Sequence, residues 1–298
     1  MMRPASVIAA IGHVAVQVED LDTAVQEATD IIGLRVSEQG GDTVYLTHGA
    51  PHHSLQYIQG SENAIDHVAL EADGPEALAE IRERVVRAGL EIVSDRPLDA
   101  GLDEGFAFVG FEDFVWEIYT GMSHDQPPAH TPGVGPNRFG HYTFNPKDPE
   151  AASRFLQDLL DFRVCDIIEG GVGWFLRCNA DHHGIAVVEG RGTLHHHAWE
   201  VKSIADLARL GDILDDQGRR LIWGPVRHGI GANIAAYFPQ TSGIVVEMYA
   251  DMERIYDEAA FEPRTWTTDD HRWFSLWGDY RPGMFRDYGL LPAARTGA

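Results

Sequence analysis

The chain has 298 residues, of which 44% are hydrophobic and 23% charged, a composition typical of a soluble globular protein of roughly two domains. Its 46 acidic and 23 basic residues give a formal net charge of −23, which argues against binding to nucleic acid or to an anionic membrane surface. Two cysteines cannot form a disulfide framework, and no apolar run is long enough for a signal peptide or a membrane span, so we expect a cytoplasmic protein.

The chain consists of two similar halves. Three segments recur in the same order at offsets of 128, 129 and 130 residues: Gly12–Val16 in Gly140–Phe144, Asp66–Glu71 in His195–Glu200, and Phe114–Tyr119 in Ile244–Tyr249. Each half also divides in two, because His13 and His67 are 54 residues apart and His141 and His196 are 55 residues apart. Ordered matches at nearly constant spacing indicate an internal duplication.

Each quarter of the chain begins with a strand pattern, continues into a helical pattern and ends with two or three further β-rich runs. In the second quarter Gly89 ends the helix. In the third, Asp148 is a good N-cap and Pro149 fits the first helical position. In the fourth, Ser203 begins the helix and Gly218 ends it. Each quarter therefore predicts a βαβββ unit.

Four such units predict an α+β fold with two similar barrel-like domains, at residues 8–121 and 138–252, joined by the Pro- and Gly-rich segment 125–137. The segment 257–298 lies outside the repeat. It carries too many aromatic residues for a free tail, among them Trp266, Trp273, Phe274, Trp277, Tyr280, Phe285 and Tyr288. We expect this segment to pack on the body of the protein.

Three residues of the second half have the chemistry of a metal site. His141 and His196 lie on the opening strands of the third and fourth units, and Glu247 lies on the last strand of the fourth. Two imidazoles and one carboxylate form the facial triad of non-heme Fe(II) oxygenases, which leaves coordination positions open for substrate and O₂. Because His67 is the counterpart of His196 in the repeat, we expect His195 and His197 to point to the opposite face.

His183, His228 and Tyr237 are candidates for proton transfer beside this metal. A lone histidine on a strand is more often a hydrogen-bonded structural residue than a functional one. Here, however, the three side chains accompany a complete set of metal ligands. Such a pocket would place groups that donate, accept and shuttle protons next to the ion.

These motifs resemble the type I extradiol ring-cleavage dioxygenases of the vicinal oxygen chelate superfamily, the group of catechol 2,3-dioxygenase and 2,3-dihydroxybiphenyl 1,2-dioxygenase. The motifs that carry the resemblance are Gly140-His141, Asp181-His182-His183-Gly184, Leu194-His195-His196, Gly224-Pro225-Val226-Arg227-His228, Tyr237-Phe238 and Gly243 to Glu247. The resemblance covers nearly the whole chain in architecture, and its motifs are specific in the second half.

The resemblance implies a site and a reaction. His141, His196 and Glu247 would bind Fe(II), or Mn(II) as in some members of the family. His183 would act as the acid–base residue near the bound oxygen, and His228 and Tyr237 would hydrogen-bond the oxygens of a catechol substrate.

The substrates implied are a catechol-type compound and O₂, within the degradation of aromatic compounds, and the implied assembly is a homo-oligomer. Where many members carry an acidic residue and a proline after the Tyr-Phe pair, this chain has Pro239-Gln240, and we expect that loop to shape a different pocket.

Two other functions compete with ring cleavage. One is an O₂-independent reaction of the same superfamily, of the glyoxalase or epimerase type, which does not need a His228–Tyr237 pair at this spacing. The other is a metal-free module that sequesters a small molecule, as in bleomycin resistance, which makes no use of three aligned ligands. Oxygen uptake and a yellow product on addition of a catechol would separate all three.

The first half repeats the ligand types of the second. The matching residues are His13, His67 and Glu117 for the three ligands, and His53 for His183. Counted back from Glu117, however, the positions of His228 and Tyr237 hold Leu98 and Ala107, which cannot handle protons. We expect this domain to be non-catalytic, and we favour a relic of duplication without an ion over a second metal site.

Overall fold

The computed structural model describes residues 6–124 and 133–295. In the first half the strands are β1 Ile8–Val18, β2 Arg35–Gly40, β3 Thr43–Thr47, β4 Leu55–Gln59, β5 Ala64–Ala72, β6 Ile92–Ser94, β7 Leu102–Val109 and β8 Val115–Met122. Its helices are α1 Leu21–Glu27, which continues as a π-helical turn over Ala28–Ile32, and α2 Pro75–Arg87.

In the second half the strands are β9 Arg138–Asn145, β10 Arg163–Ile168, β11 Gly173–Arg177, β12 Ile185–Val188, β13 Thr193–Glu200, β14 Trp223–Arg227, β15 Ile234–Pro239, β16 Val245–Ala250 and β17 Arg264–Trp266. Its helices are α3 Pro149–Leu160 and α4 Ile204–Asp216. None of the helices in the described part of the chain has the length and apolar character needed to cross a membrane.

The two halves have one topology. The first forms a sheet of eight strands in the order β2-β3-β4-β1-β5-β8-β7-β6, and the second repeats that order, with a ninth strand, β17, added beside β10. In each half the two opening strands pair antiparallel at the centre, and each pairs on its other side with the last strand of its own unit, in parallel. The predicted α+β fold of four βαβββ units is confirmed.

Local sequence signals account for the helix ends. The Asp148 carboxylate accepts a hydrogen bond from the backbone N–H of Ala151 at 2.9 Å and so caps α3. Ser203 and Asp206 form a capping box at the start of α4. Gly89 and Gly218 follow α2 and α4 with φ of 69° each, a backbone conformation that glycine adopts without strain.

A single main apolar core draws residues from both halves. Trp116 of the first half stacks on Phe144 of the second, with ring centroids 5.5 Å apart. The Tyr142 hydroxyl donates to the carbonyl oxygen of Ala69 at 3.0 Å, and so ties β9 to the centre of the opposite sheet. Buried contacts between their central strands therefore join the two sheets.

The C-terminal segment lies against the second half at several points. Strand β17 pairs in parallel with β10, and Leu290 makes a short bridge with Leu194. Phe274 and Phe285 pack on an apolar cluster around Trp223. Of the segment 125–137, which we predict to be a linker, residues 125–132 lie outside the described part of the chain.

Candidate metal centre and pocket

Strand register brings the three candidate ligands together. His141 on β9 and Glu247 on β16 both lie directly opposite Ala198 of the intervening strand β13. Directly paired residues project on the same face of a sheet, and so do residues two apart on one strand. His196 precedes Ala198 by two positions and therefore shares that face. The small Ala198 side chain leaves space between the three ligands.

Their ligand atoms converge. The Glu247 Oε2 atom lies 3.2 Å from His141 Nε2 and 3.0 Å from His196 Nε2. The other carboxylate oxygen, Oε1, accepts a hydrogen bond from the Asn233 side-chain amide at 3.0 Å, which fixes the direction of Oε2. Although burial raises the pKa of Glu247, the adjacent His141 and His196 imidazoles lower it well below the usual range. Glu247 is therefore an anion.

His195 faces the same site, which corrects the prediction that it points to the opposite face. A β-bulge between Leu194 and His196 inserts an extra residue opposite β9 and breaks the strict alternation of side chains. The His195 Nδ1 atom lies 2.7 Å from His196 Nδ1, and its Nε2–H donates to the Phe285 carbonyl oxygen at 2.6 Å. His197 lies apart from the site, and its Nδ1 accepts from Trp199 at 2.8 Å.

This hydrogen-bond chain assigns the proton positions on the ligand. Because a carbonyl oxygen only accepts, His195 carries its proton on Nε2 and accepts at Nδ1. His196 must then donate from its own Nδ1, and its Nε2 keeps a free lone pair directed at Glu247. A neutral imidazole in this tautomer is the form that binds a metal, and an outer hydrogen bond that fixes it is typical of metal sites.

His183, in the loop between β11 and β12, lines the pocket next to His141, with ring centroids 4.6 Å apart. The Arg264 guanidinium donates to His182 Nε2 at 3.1 Å, so the proton of His182 lies on Nδ1, 3.1 Å from His183 Nδ1. His183 accepts there and carries its own proton on Nε2. Burial, with His141 and His182, lowers the pKa of His183 well below its usual range, so it is a neutral donor.

His228 and Tyr237 form a hydrogen-bonded pair beside the ligands. Tyr237 lies directly opposite Glu247 on β15. The His228 Nδ1–H donates to the Phe274 carbonyl oxygen at 2.5 Å, so His228 Nε2 accepts from the Tyr237 hydroxyl at 2.7 Å. Burial, reinforced by Glu247, raises the pKa of Tyr237 well above its usual range, and burial lowers that of His228. The pair is therefore a neutral phenol facing a neutral base.

All six predicted site residues line one cleft, which encloses about 700 Å³ of empty space together with its open mouth. The C-terminal segment closes one side of it with three aromatic and two cationic side chains: Trp273, Phe274, Phe285, Arg281 and Arg286. Gln240 does not line this cleft. It is buried and hydrogen-bonds the Tyr57 hydroxyl of the first half, so the Pro239-Gln240 segment joins the two halves rather than shaping the pocket, contrary to our expectation.

The matching residues of the first half also converge. His13 and His67 place their Nε2 atoms 3.3 Å apart, and Glu117 Oε2 lies 3.2 Å from His13 Nε2. A fourth residue, Asp99, joins them, with its Oδ2 atom 2.7 Å from His13 Nε2. The repeat could not reveal Asp99 because the corresponding position of the second half is Gly229.

The donor set of the second half fits a divalent metal. Three ligand atoms, two nitrogens and one oxygen, lie within 4.8 Å of one another. Among the described residues, the ion pairs of the Glu247 carboxylate are to histidines alone. A tetrahedral or octahedral ion with bonds near 2.1 Å would place neighbouring ligands about 3 to 3.4 Å apart. His141, His196 and Glu247 would hold it, and the cleft leaves its other side accessible to substrate.

The family model described as the Glyoxalase/Bleomycin resistance protein/Dioxygenase superfamily matches residues 10–113 and 138–248. The chain belongs to this superfamily, and the predicted resemblance to the vicinal oxygen chelate proteins is confirmed. The two matched ranges correspond to the two sheets, so both halves of the chain carry the superfamily fold.

Curated relatives align over almost the full length of the chain. The manganese-dependent 2,3-dihydroxybiphenyl 1,2-dioxygenase of Geobacillus genomosp. 3 is 26% identical over 93% of this chain and 95% of its own. The iron-dependent extradiol dioxygenase of Rhodococcus jostii (strain RHA1) is 22% identical over 93% of this chain and 99% of its own. Extradiol dioxygenases of both metal types are therefore among the similar proteins.

Two solved structures share the fold. The Mn(II)-bound glyoxalase from Novosphingobium aromaticivorans is 26% identical, with a TM-score of 0.86 over 97% of this chain and 96% of its own. Homoprotocatechuate 2,3-dioxygenase from Arthrobacter globiformis superposes with a TM-score of 0.89 over 99% of this chain and 95% of its own, at 21% identity. The second likeness bears on the fold alone.

Proposed function

We propose that this protein is an extradiol dioxygenase that opens the ring of a catechol with O₂ at an Fe(II) centre, or at Mn(II). The observation that carries the proposal is the composition of one cleft. It presents two imidazoles and a carboxylate as ligands, together with a proton donor and a phenol–imidazole pair on the walls. The full-length similarity to extradiol dioxygenases supports it.

The metal, when bound by His141, His196 and Glu247, would supply adjacent positions for both catechol oxygens and for O₂, together with the electron transfer between them. A facial set of three ligands suits this task because it leaves one side of the ion free. The buried Glu247 anion offsets half of the charge of a divalent ion. Hydrogen bonds with Asn233 and His195 fix the orientation of Glu247 and His196, respectively.

Tyr237 and His228 take up the proton of a catechol hydroxyl. The Tyr237 hydroxyl donates to His228 Nε2, so its oxygen presents a lone pair to an approaching substrate hydroxyl. As the substrate proton passes to Tyr237, the phenolic proton moves to His228 Nε2. The Phe274 carbonyl oxygen accepts from His228 Nδ1 and stabilises the resulting imidazolium.

His183 would supply a proton rather than take one up. It holds that proton at Nε2 and lines the cleft next to His141. Burial keeps His183 neutral, and the His182 and Arg264 hydrogen bonds fix its tautomer, so it is a donor that can stabilise developing negative charge and then protonate it. The C-terminal half, 138–252, is thus the catalytic domain in this proposal, and the N-terminal half, 8–121, is non-catalytic.

The cleft favours a catechol with an anionic ring substituent. The Arg281 guanidinium lies 5.4 Å from the Trp273 ring centre and 5.2 Å from that of Phe274. Burial, together with Arg286, lowers the pKa of Arg281 to about 10, which leaves it cationic at neutral pH. A carboxylate on the substrate would meet both arginines at the cleft wall.

The test is a reaction in air after anaerobic loading with Fe(II) or Mn(II). We expect O₂ uptake, equal in moles to catechol consumed, and a yellow ring-opened product. Catechol, 2,3-dihydroxybiphenyl and 3,4-dihydroxyphenylacetate form the substrate panel. Arg281→Gln should lower kcat/KM for the carboxylate-bearing substrate alone, and Arg272→Gln, which alters an exposed arginine paired with Asp270, is the matched control.

An O₂-independent reaction of the glyoxalase type is the second candidate, and the fold and sequence similarity to an Mn(II)-bound glyoxalase favours it. The phenol–imidazole pair favours ring cleavage, because it suits deprotonation of a diol. No O₂ uptake with either metal and any catechol of the panel would reject the first candidate in favour of the second.

A cytoplasmic location and a homo-oligomeric state belong to the same proposal. Both described cysteines, Cys165 and Cys178, are buried free thiols, which suits a reducing compartment. The oligomeric state rests on the family resemblance, and the mass in solution by light scattering tests it.

A further inference from the structure

The N-terminal half contains a second cluster with ligand chemistry, and it holds one carboxylate more than the catalytic one. Asp99 Oδ2 lies 2.7 Å from His13 Nε2 and 2.9 Å from His67 Nε2. Glu117 Oε2 lies 3.2 Å and 3.7 Å from the same two nitrogens. Ligands of a tetrahedral ion with bonds near 2.0 Å are about 3.3 Å apart, and the four distances here lie on both sides of that value.

Outer hydrogen bonds direct the imidazoles of this cluster inward. The Asp66 carboxylate, 2.8 Å away, accepts from His67 Nδ1, so the proton of a neutral His67 lies on Nδ1 and its Nε2 lone pair faces Asp99. A carboxylate that orients a ligand histidine in this way is a common feature of zinc sites. Glu117 is held likewise, because its Oε1 accepts from the Leu98 backbone N–H at 2.6 Å.

Two atoms aimed into the cluster have no hydrogen-bond partner. His52 donates to Glu38 through Nε2 at 3.0 Å, so His53 donates to His52 through Nδ1 and keeps a lone pair on Nε2. That lone pair faces Asp99 Oδ2 at 3.5 Å. His53 Nε2 and Glu117 Oε2 are both buried and unpartnered, and their residues are 1% and 0% exposed.

The charge of the cluster also requires a cation. Neutral imidazoles would leave two buried carboxylates, and among the described residues the ion pairs of Asp99 and Glu117 are to histidines only. Uncompensated charge in a dry interior is strongly destabilising. Either one divalent ion or two extra protons must occupy the space between the ligands. An ion would satisfy the ligand atoms of His13, His67, Asp99 and Glu117 at once, including Glu117 Oε2, which has no hydrogen-bond partner in the structure.

We propose that His13, His67, Asp99 and Glu117 bind a divalent transition-metal ion in the N-terminal half, in place of the metal-free relic expected from the sequence, because Asp99 adds a fourth ligand. Two imidazole nitrogens and two carboxylate oxygens suit Zn²⁺, whose structural sites are four-coordinate and closed. Asp99 fills the side that Gly229 leaves open in the second half. The ion therefore ties together β1, β5, β8 and the loop before β7, and has no open position for a catechol.

The test counts ions in the intact protein. After removal of metals by a chelator, the chain is equilibrated with Zn²⁺ and, separately, with Mn²⁺, and the bound metal is measured by mass spectrometry. We expect two Zn²⁺ per chain, one in Asp99→Asn and one in Glu247→Gln. Asp95→Asn, which alters an exposed aspartate paired with Arg82, is the control and should keep two.

One ion per chain, lost in Glu247→Gln, would overturn the proposal and assign protons to the N-terminal cluster. Two ions retained in Asp99→Asn would also overturn it. If Asp99→Asn does not fold, the Glu247→Gln variant decides alone, because its remaining ion should raise the melting temperature over the metal-free form. That measurement does not use catechol turnover, so it stands whether or not the enzyme cleaves rings.

Discussion

The two halves of this protein carry the same three ligand residues on the same three strands, yet they present them to different surroundings. In the second half, His141, His196 and Glu247 line a cleft. The ligand residues of both halves are buried, but in the first half Asp99 closes the cluster on the side where the second half has Gly229. A duplicated fold therefore conserves ligand geometry through strand register, while loops decide whether a substrate can reach the ligands.

The histidines next to the ligands show how a hydrogen-bond partner outside the site decides which ring nitrogen carries the proton. His182 accepts from the Arg264 guanidinium, so His183 ends with a proton facing the cleft. His52 donates to the Glu38 carboxylate, so His53 ends with a lone pair facing its cluster. The same His-His dipeptide thus yields a proton donor in one half and a lone pair facing the cluster in the other. His182 accepts a hydrogen bond from the Arg264 guanidinium, although Asp166 Oδ2 lies 3.4 Å away, whereas His52 donates one to the Glu38 carboxylate.

The largest expected difference between the halves concerns turnover. Glu247→Gln should reduce ring cleavage to the background rate, because the site loses its only anionic ligand and with it the divalent ion. Glu117→Gln should act on stability instead, through loss of the N-terminal ion, with turnover per folded chain retained. Oxygen uptake and melting temperature, measured on both variants, check the comparison. Equal loss of turnover in both would show that the halves act as one site.

A smaller difference should separate the two His-His dipeptides. His183→Gln should lower kcat by roughly 10²- to 10⁴-fold with metal content unchanged, since it removes a general acid–base group. His53→Gln should leave kcat alone, because His53 does not face the catalytic cleft. Steady-state kinetics with metal analysis on each variant measures this. Near-normal turnover in His183→Gln, with a lower melting temperature, would mean that His183 is structural.

Loss of an outer hydrogen bond to a ligand histidine should have a smaller effect than these, and the effect should be on metal affinity. His195→Leu removes the acceptor that fixes the His196 tautomer, and should weaken metal binding in the second half by about 10- to 100-fold. His195→Gln, whose side-chain oxygen can accept, should restore part of the affinity. Asp66→Asn is the counterpart for His67 in the first half. Competition with a metal indicator gives the affinities, and a loss in the wrong half would contradict the assigned hydrogen bonds.

The smallest effect concerns stability at the contact between the halves. Burial, with Arg138, lowers the pKa of His48 to about 4, and its ring packs edge-on against Trp199. The unfolded chain, with an ordinary histidine pKa near 6.5, binds the proton more tightly, so stability falls as the pH drops from about 6.5 to 4. Because His48 is only partly buried, we expect His48→Asn to reduce this acid-induced loss of unfolding free energy by about 1 to 2 kcal/mol.

Chemical denaturation at pH 7 and pH 5 measures that contribution. The variant and the unchanged protein should differ more in their pH dependence than in stability at pH 7. An identical pH dependence would place His48 in a solvated environment.

Much of the fold and of the candidate site was predictable from the sequence. The duplicated motifs led to the four units, and the helix caps at Asp148 and Ser203 are local signals that do not depend on distant contacts. The ligands His196 and Glu247 were predictable because strand alternation is a short-range rule, and the repeat selected one histidine of three.

Other features depended on contacts that no local pattern encodes. The bulge at His195 arises from pairing between β13 and β9, and it turned a residue expected on the far face toward the site. Gln240 meets Tyr57 across the interface of the halves, far apart in the chain. The carbonyl groups of Phe274 and Phe285, which fix two histidine tautomers, come from the segment outside the repeat.

By itself, then, the sequence determined the repeated units, the helix ends and the three candidate ligands, because periodicity and capping act over a few residues. Only the tertiary structure decided which groups surround those ligands. Asp99 enters the N-terminal cluster through a loop with no ligand counterpart in the second half, where Gly229 stands. Loop closure and side-chain hydrogen bonds depend on the whole packed chain, and in this protein they separate a closed cluster from an open site.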